Sequence, residues 1–213
     1  MADNTHRYGF RWVGSLDGSC YPKPQEGTVI TAYQATISAQ NVDLNIGDPV
    51  ELASTGTFQL AAGAGSPSTL WGVIVGFPNV KVGLPLKGRK FSRLPGGTTW
   101  TTEENRSKVL VVPFGRNLWE IDCDDAVTAT TQAAYRLLIG ENCDLSYSRD
   151  ATDADRPKAN PYLDISTHSS ATKDFRIINI SQTALNQDFS GANVKLIVCV
   201  NETGEAPFVT AGV

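Results

Sequence analysis

The sequence has little of what membrane insertion or secretion requires. Its 213 residues contain no apolar run that approaches the ~20 residues of a membrane-spanning helix. The first residues, Met1 to Arg7, lack the basic-then-apolar order of a signal peptide. We therefore expect a protein that is made in a cytoplasm and has no membrane partner.

Histidine and closely spaced cysteine are also scarce. The chain has two histidines, His6 and His168, and none of its four cysteines forms a Cys-x-x-Cys pair. Zinc sites need such ligands at close spacing. We therefore predict no metal site and four reduced thiols, as in a reducing compartment. The cysteines are Cys20, Cys123, Cys143 and Cys199.

Motifs of nucleotide binding and catalysis are missing. The sequence has no phosphate-binding loop, no Gly-x-Gly-x-x-Gly and no Gly-x-Ser-x-Gly. Asp164 and Ser166 lie beside His168, but a Ser-His-Asp triad is assembled in space and rarely from sequence neighbours. The net charge of −4 gives no global basic field for nucleic acid. We expect no catalytic residue, no cofactor and no nucleic-acid partner.

Carboxylates occur in two clusters. The first is Asp122, Asp124 and Asp125 at a strand end, and the second is Asp150, Asp153 and Asp155 in a loop. Neither cluster has the full ligand spacing of a calcium loop. We interpret both as solvated turn carboxylates. Calcium binding by the loops stays open, and so does a carboxylate pair for glycoside hydrolysis.

The clearest strands are at the end of the chain. Residues Phe175–Ile180 and Asn193–Val200 are dominated by β-branched and other apolar residues. Side chains alternate along a strand, so Val194, Leu196, Val198 and Val200 share one face. The intervening residues have loop chemistry. We predict two antiparallel strands that close a C-terminal β domain.

A second group of strands lies earlier in the sequence. Val42, Leu44 and Ile46 alternate with polar residues and predict a half-buried strand, which Gly47-Asp48-Pro49 ends. Trp71, Val73, Val75 and Phe77 share one face of another strand, with Gly72 and Gly76 on the other. Glycines so placed allow close approach of a backbone or mark a bulge. We expect this strand to expose a flat face that a second subunit covers.

The predicted fold class is all-β, with two small β-barrel or β-sandwich-like units, an extended N-terminal arm and at most one short helix. Residues Thr130 to Leu138 predict that helix, with Thr130 or Thr131 as its N-cap and Gly140 just past its end. The predicted organisation is an arm at 1–28, an N-terminal β unit at 29–80, a connecting segment at 81–107 and a C-terminal β domain at 108–213.

The arm holds the candidate contact residues. It combines arginine with aromatic residues, which carry much of the energy of protein interfaces. The candidates for contact with a partner protein or a second subunit are Tyr8, Phe10, Arg11, Trp12 and Tyr21. The rival interpretation is that Phe10 and Trp12 fold back on the chain's own barrel. The basic run from Lys81 to Arg93 is the next candidate contact.

The order of these segments resembles the C-terminal domain of tailed-phage virion structural proteins, described as head decoration or cement proteins. The matching segments are Leu118–Asp122, Gly140–Leu145, Tyr162–Ser166, Thr172–Ile180 and Gly191–Val194. The segments Tyr8–Trp12, Gly47–Val50 and Gly72–Gly76 look like the matching N-terminal half. The resemblance spans most of the chain and rests on strand and turn residues in order.

The resemblance implies a structural protein without enzyme activity or cofactor, which binds the outside of a phage capsid and stabilises it. It implies a major capsid protein as partner, a homo-oligomer with a trimer favoured, and a place on the virion after synthesis in the host cytoplasm. An alternative is a host-glycan-binding head or tail fibre module, in which Trp100 and the loop at Asp150 would contact sugars.

Overall fold

The computed structural model of the protein describes residues 9–16, 25–28, 44–52, 58–61, 70–76, 93–94, 108–124, 131–149, 159–183, 186, 189 and 193–201. In chain order its strands are β1 Arg11–Ser15, β2 Gln25–Thr28, β3 Leu44–Asn45, β4 Pro49–Leu52, β5 Phe58–Leu60, β6 Leu70–Gly76, β7 Arg93–Leu94, β8 Lys108–Pro113, β9 Asn117–Asp122, β10 Asn142–Arg149, β11 Ala159–Ser169, β12 Phe175–Ile180 and β13 Lys195–Val200. Within these residues there is one short helix, α1, at Gln132–Leu137. The predicted all-β class is confirmed.

The larger sheet has six strands in the order β1-β9-β13-β12-β10-β11, and all its ladders are antiparallel. An isolated parallel bridge joins Cys123, just after β9, to Leu163 of β11. Beside it, the Asp124 amide donates to the Leu163 carbonyl at 3.0 Å. These contacts join the end of β9, the second strand in the order of the sheet, to β11, the last one.

The pair β12 and β13 is the one predicted from the sequence, and it is confirmed. The two strands are antiparallel, with Ile177 opposite Val198 and Ile180 opposite Leu196. The predicted apolar face of the second strand, from Val194 to Val200, is buried. Burial extends to both faces, because Cys199 and Lys195 are buried as well.

The smaller sheet has five strands in the order β2-β8-β6-β4-β5, and β3 pairs with β7 separately. The strand β8 therefore belongs with strands from the first half of the chain. The short turn from Phe114 to Arg116 leads from β8 into β9 of the six-stranded sheet. The chain thus passes from one sheet to the other after β8. The domain boundary predicted at residue 108 lies one strand before that point.

The two sheets share a hydrophobic core that centres on four aromatic rings. Phe114 follows β8, Trp119 lies in β9, Phe175 begins β12, and Phe10 precedes β1. The ring of Phe10 lies 5.2 Å from that of Phe114 and 5.1 Å from that of Phe175. Residues of both sheets belong to the same buried cluster, including Val73 of β6 and Ile177 of β12.

The N-terminal segment differs from the expected extended arm where the structure describes it. Strand β1 pairs antiparallel with β9, and Phe10 is only 4 % exposed. The Phe10 amide donates to the Gly47 carbonyl at 2.8 Å. Residues 11–15 are therefore part of the sheet, and Phe10 is part of the core. The sequence of this segment does not indicate a strand, because it contains glycines and has no regular hydrophobic periodicity. The residues that Phe10 contacts are far away in the sequence.

Gly72 confirms the prediction of close backbone approach. A Cβ atom built on Gly72 would lie 2.3 Å from the carbonyl oxygen of Val112 in the neighbouring β8. The prediction of a flat exposed face on this strand is wrong at this position. β6 lies between β8 and β4, and Gly72 is buried.

Two local predictions have different outcomes. The helix is confirmed: Thr131 is its N-cap, with Oγ1 accepting from the Ala134 amide at 3.2 Å, and Gly140 has a φ of 95°. The strand predicted through Val42, Leu44 and Ile46 is shorter, because β3 ends at Asn45 and Ile46 lies exposed in the following turn. Val42 lies outside the described residues.

We predict that Phe10→Ala destabilises the protein by ~3–5 kcal/mol, since it leaves a cavity among three buried rings. In a chain of this size, such a loss lowers the melting temperature by roughly 10 °C. Val13→Ala is the matched control on the same segment, because Val13 is 38 % exposed. Equal melting temperatures for both variants, measured by calorimetry, would contradict the shared aromatic core.

We predict that Gly72→Ala costs ~1–3 kcal/mol, because the added methyl group meets a backbone carbonyl that cannot move aside. Gly14→Ala is the control, because its Cβ would lie 4.0 Å from the nearest atom, the Leu118 side chain. Urea unfolding of the two variants gives the comparison. A Gly72→Ala variant as stable as the Gly14→Ala variant would contradict the close approach of β6 and β8.

Candidate functional site

The structure separates the five candidate contact residues from one another. Tyr8 and Tyr21 lie outside the described residues. Phe10 is buried in the core, so its ring is not available to a partner. Arg11 is exposed, and Trp12 is half-buried against the core cluster.

Arg11 forms an ion pair with a buried carboxylate. Its Nη2 lies 2.7 Å from Oε1 of Glu120, and the two side chains are 59 % and 5 % exposed. The hydroxyl of Ser181 donates to the other carboxylate oxygen of Glu120. Arg11 thus covers a buried charge on β9 and attaches β1 to the sheet, while much of its own surface still faces solvent.

Trp12 is held by its indole nitrogen. Its Nε1 donates to Oδ1 of Asn117 at 3.0 Å, and Nδ2 of Asn117 donates to the carbonyl of Pro113 at 2.8 Å. The side chain therefore links β1 to the turn that joins the two sheets. This is a structural role, and it agrees with the rival interpretation that Phe10 and Trp12 fold back on their own chain.

The exposed apolar residues of this segment are ones that the sequence prediction missed. The pairing of β1 with β9 shifts register between Trp12 and Gly14, so Val13 is the extra residue of a bulge. Val13 is 38 % exposed and Leu16 is 40 % exposed. Val13 lies in β1, the end strand of the six-stranded sheet, and Leu16 directly follows that strand. A bulge has no signature in the amino-acid sequence here, so only the register shows which side chain turns outward.

The interpretation of the first acidic cluster as solvated is wrong for Asp122. Its side chain is 2 % exposed, and its Oδ1 lies 2.6 Å from Nζ of Lys195. Asp124 accepts from the Ile165 amide at 2.9 Å and so supports the contact between β9 and β11. Asp125 and the second cluster, Asp150, Asp153 and Asp155, lie outside the described residues.

The residues around His168 do not form a triad. The hydroxyl of Ser166 donates to Asp164, and Nδ1 of His168 contacts the carboxylate of Glu141. The hydroxyl of Thr167 accepts from the Asp144 amide at 3.0 Å and donates to the Asp164 carbonyl at 2.7 Å. These contacts shape the irregular part of the β10–β11 ladder, where the register shifts.

Three of the four cysteines are free and buried, which confirms the prediction for them, and Cys20 lies outside the described residues. Burial raises the pKa of Cys143 to about 12 and that of Cys199 to about 11. Burial likewise raises the pKa of Cys123 far above its usual range. A neutral buried thiol is a poor nucleophile and a poor metal ligand.

Within the described ranges, no three His, Cys, Asp or Glu side chains are grouped so that they could hold a metal ion. No helix in that part of the chain is long and apolar enough to cross a membrane. Trp100 lies outside the described residues, as does the basic run from Lys81 to Arg93 except for Arg93 itself, which lies in β7.

Comparison of the chain with protein-family models, curated proteins and solved structures gives no match.

The raised thiol pKa values predict a loss of stability in alkali. Unfolded thiols lose their protons first, so between about pH 9 and about pH 11 the unfolded state binds fewer protons than the folded state. The stability that each buried thiol contributes is complete below about pH 9. Above that pH it falls by ~1.4 kcal/mol per pH unit for each thiol.

Cys143→Ala should therefore flatten the alkaline slope of the unfolding free energy by ~1.4 kcal/mol per pH unit. Urea unfolding at several pH values measures this slope. A thiol reagent on the folded wild type supplies the control, and at most one thiol, Cys20, should react quickly at neutral pH. Rapid reaction of more than one thiol would contradict the burial of the other three.

Proposed function

We propose that this chain is a structural virion protein that binds the outside of a phage capsid and stabilises it. The supporting observation is where the resembling segments lie. Those at Leu118–Asp122, Gly140–Leu145, Tyr162–Ser166 and Thr172–Ile180 contribute to β9, β10, β11 and β12, which belong to one sheet. The resembling order in the sequence thus corresponds to a contiguous structural unit.

The proposal includes partners and place. The protein binds the major capsid protein on the virion surface after synthesis in the host cytoplasm, and it assembles as a homo-oligomer, for which we favour a trimer. Its action is mechanical, through contacts between subunits, and requires no cofactor, nucleic acid or membrane. Many equivalent sites on a shell strengthen such contacts, because each bound copy holds several neighbours.

The proposed contact lies on the exposed side of β1. Phe10 is excluded as an anchor by its burial, and Trp12 is engaged with Asn117. Val13 and Leu16 present exposed apolar surface, and Arg11 remains 59 % exposed while it pairs with Glu120. Arginine with apolar neighbours is a combination that interfaces favour. Among the described residues, the proposed contact is therefore Val13, Leu16 and Arg11 in place of Phe10 and Trp12. Tyr8 and Tyr21 stay candidates.

Binding to undecorated heads tests the proposal. Val13→Asp and Leu16→Asp should lower occupancy on the heads by more than tenfold, because each puts a charge at the centre of an apolar contact. Their melting temperatures should stay close to that of the wild type. Leu137→Asp is the matched control, since Leu137 is 81 % exposed on the helix and far from β1 in sequence.

The outcomes separate the alternatives. Unchanged occupancy for both β1 variants, with a loss for Leu137→Asp, would move the contact to the helix. No binding of the wild type to heads, together with binding to a glycan array, would contradict the proposal and favour a host-glycan-binding module. Trp12→Ala is a poor probe of the contact, because losing the bond to Asn117 lowers stability itself.

A further inference from the structure

Lys195 and Asp122 form a buried pair whose backbones are fixed on adjacent strands. They are register partners in the ladder between β13 and β9. Their side chains are 10 % and 2 % exposed, and Nζ lies 2.6 Å from Oδ1. Asn186 holds Lys195 further, because its side chain accepts from the Lys195 amide at 2.8 Å and donates to the Lys195 carbonyl at 2.9 Å.

An ion pair in this position is costly, because both charges are removed from water. Transfer of one proton along the contact from Nζ to Oδ1 replaces the two charges by a neutral amine and a neutral carboxylic acid. The neutral amine and the neutral acid are the forms that can react with each other. A neutral amine is a nucleophile, and a protonated carboxyl group has a leaving group. The fold therefore holds two reactive partners in contact with very little freedom to separate.

We propose that Lys195 and Asp122 condense to an isopeptide bond within the folded chain. The Nζ lone pair attacks Cγ of the protonated Asp122, the bond from Cγ to the hydroxyl oxygen breaks, and the amine loses one proton to that departing group. The products are a Cγ–Nζ amide and one water molecule, so no oxidant or other reactant is needed. Fixed geometry replaces activation of the acid, since aligned groups in contact react as if at very high concentration.

Two other ion pairs on the same sheet show what distinguishes this one. Glu120 is equally buried, but its partner is Arg11, whose guanidinium is always charged and is not a nucleophile. Lys173 lies 2.6 Å from Asp144, but these side chains are 22 % and 17 % exposed. That pair is more open to water than Lys195 and Asp122. Lys195 and Asp122 combine a nucleophilic amine, a carboxyl group and exclusion from water.

Mass spectrometry of the purified, folded protein tests the proposal. The full chain has a mass of 22.9 kDa, and the isopeptide bond lowers the intact mass by one water, about 18 Da, a loss that depends on folded geometry. Proteolysis should then yield a branched peptide that joins the segment with Asp122 to the segment with Lys195. The branched peptide is needed to locate the loss of water in the chain, because Asp17-Gly18 can also lose one water by forming a cyclic imide.

Variants provide the matched controls. Lys195→Arg should restore the full mass, and Lys173→Arg should keep the loss of water. Asp122→Asn should still form the bond but lose ammonia, about 17 Da, in place of water. If the variants at positions 122 and 195 do not fold, the branched peptide of the wild type decides alone. A folded wild type with its full mass and no branched peptide would overturn the proposal.

Discussion

The four aromatic rings at the meeting of the two sheets are the contact on which the rest of the structure depends. Phe10 and Phe175 come from distant parts of the chain to meet Phe114 and Trp119, and the centroids of the rings in contact lie 5.1 to 6.2 Å apart. Aromatic side chains bury more apolar surface than any others, and edge-to-face packing adds directional preference. Phe10 is placed there because β1 follows it directly, and β1 in turn needs β9. The aromatic cluster thus fixes the position of the N-terminal segment and also joins the two sheets.

The second constraint is charge on the outer face of β9. Trp119 and Ile121 point into the core, so Glu120 and Asp122 point to the opposite face, where they are also buried. Each carboxylate has its cation on a different neighbouring strand, Arg11 on β1 and Lys195 on β13. Both pairs are register partners as well. A slip of one residue in either ladder during folding would leave a buried carboxyl group without its partner, so the two pairs specify the register on both sides of β9.

The sequence predicts what local signals determine. The apolar alternation of β12 and β13, the threonine cap of α1 and the close approach at Gly72 all depend on near neighbours or on residue type. The burial of Asp122 could not be predicted, because Lys195 lies 73 residues away and nothing near Asp122 marks the pairing. The sequence leaves the choice between an outer contact and the core open for Phe10 for the same reason, since Phe114, Trp119 and Phe175 become its neighbours only through the sheet topology. The bulge at Val13 likewise depends on a pairing that is absent from local sequence.

The burial of Phe10 changes what an aromatic-rich terminal segment indicates. Aromatic residues between glycines and prolines suggest an external anchor only if the chain itself offers them no pocket, and here the core accepts Phe10 and the turn at Asn117 accepts Trp12. Within residues 9–16, the apolar surface that remains for a partner is aliphatic and small, at Val13 and Leu16. A contact of that size stabilises one site only weakly. A protein that uses it to hold a shell would therefore depend on the number of equivalent sites, with each subunit's weak contact reinforced by those of its neighbours.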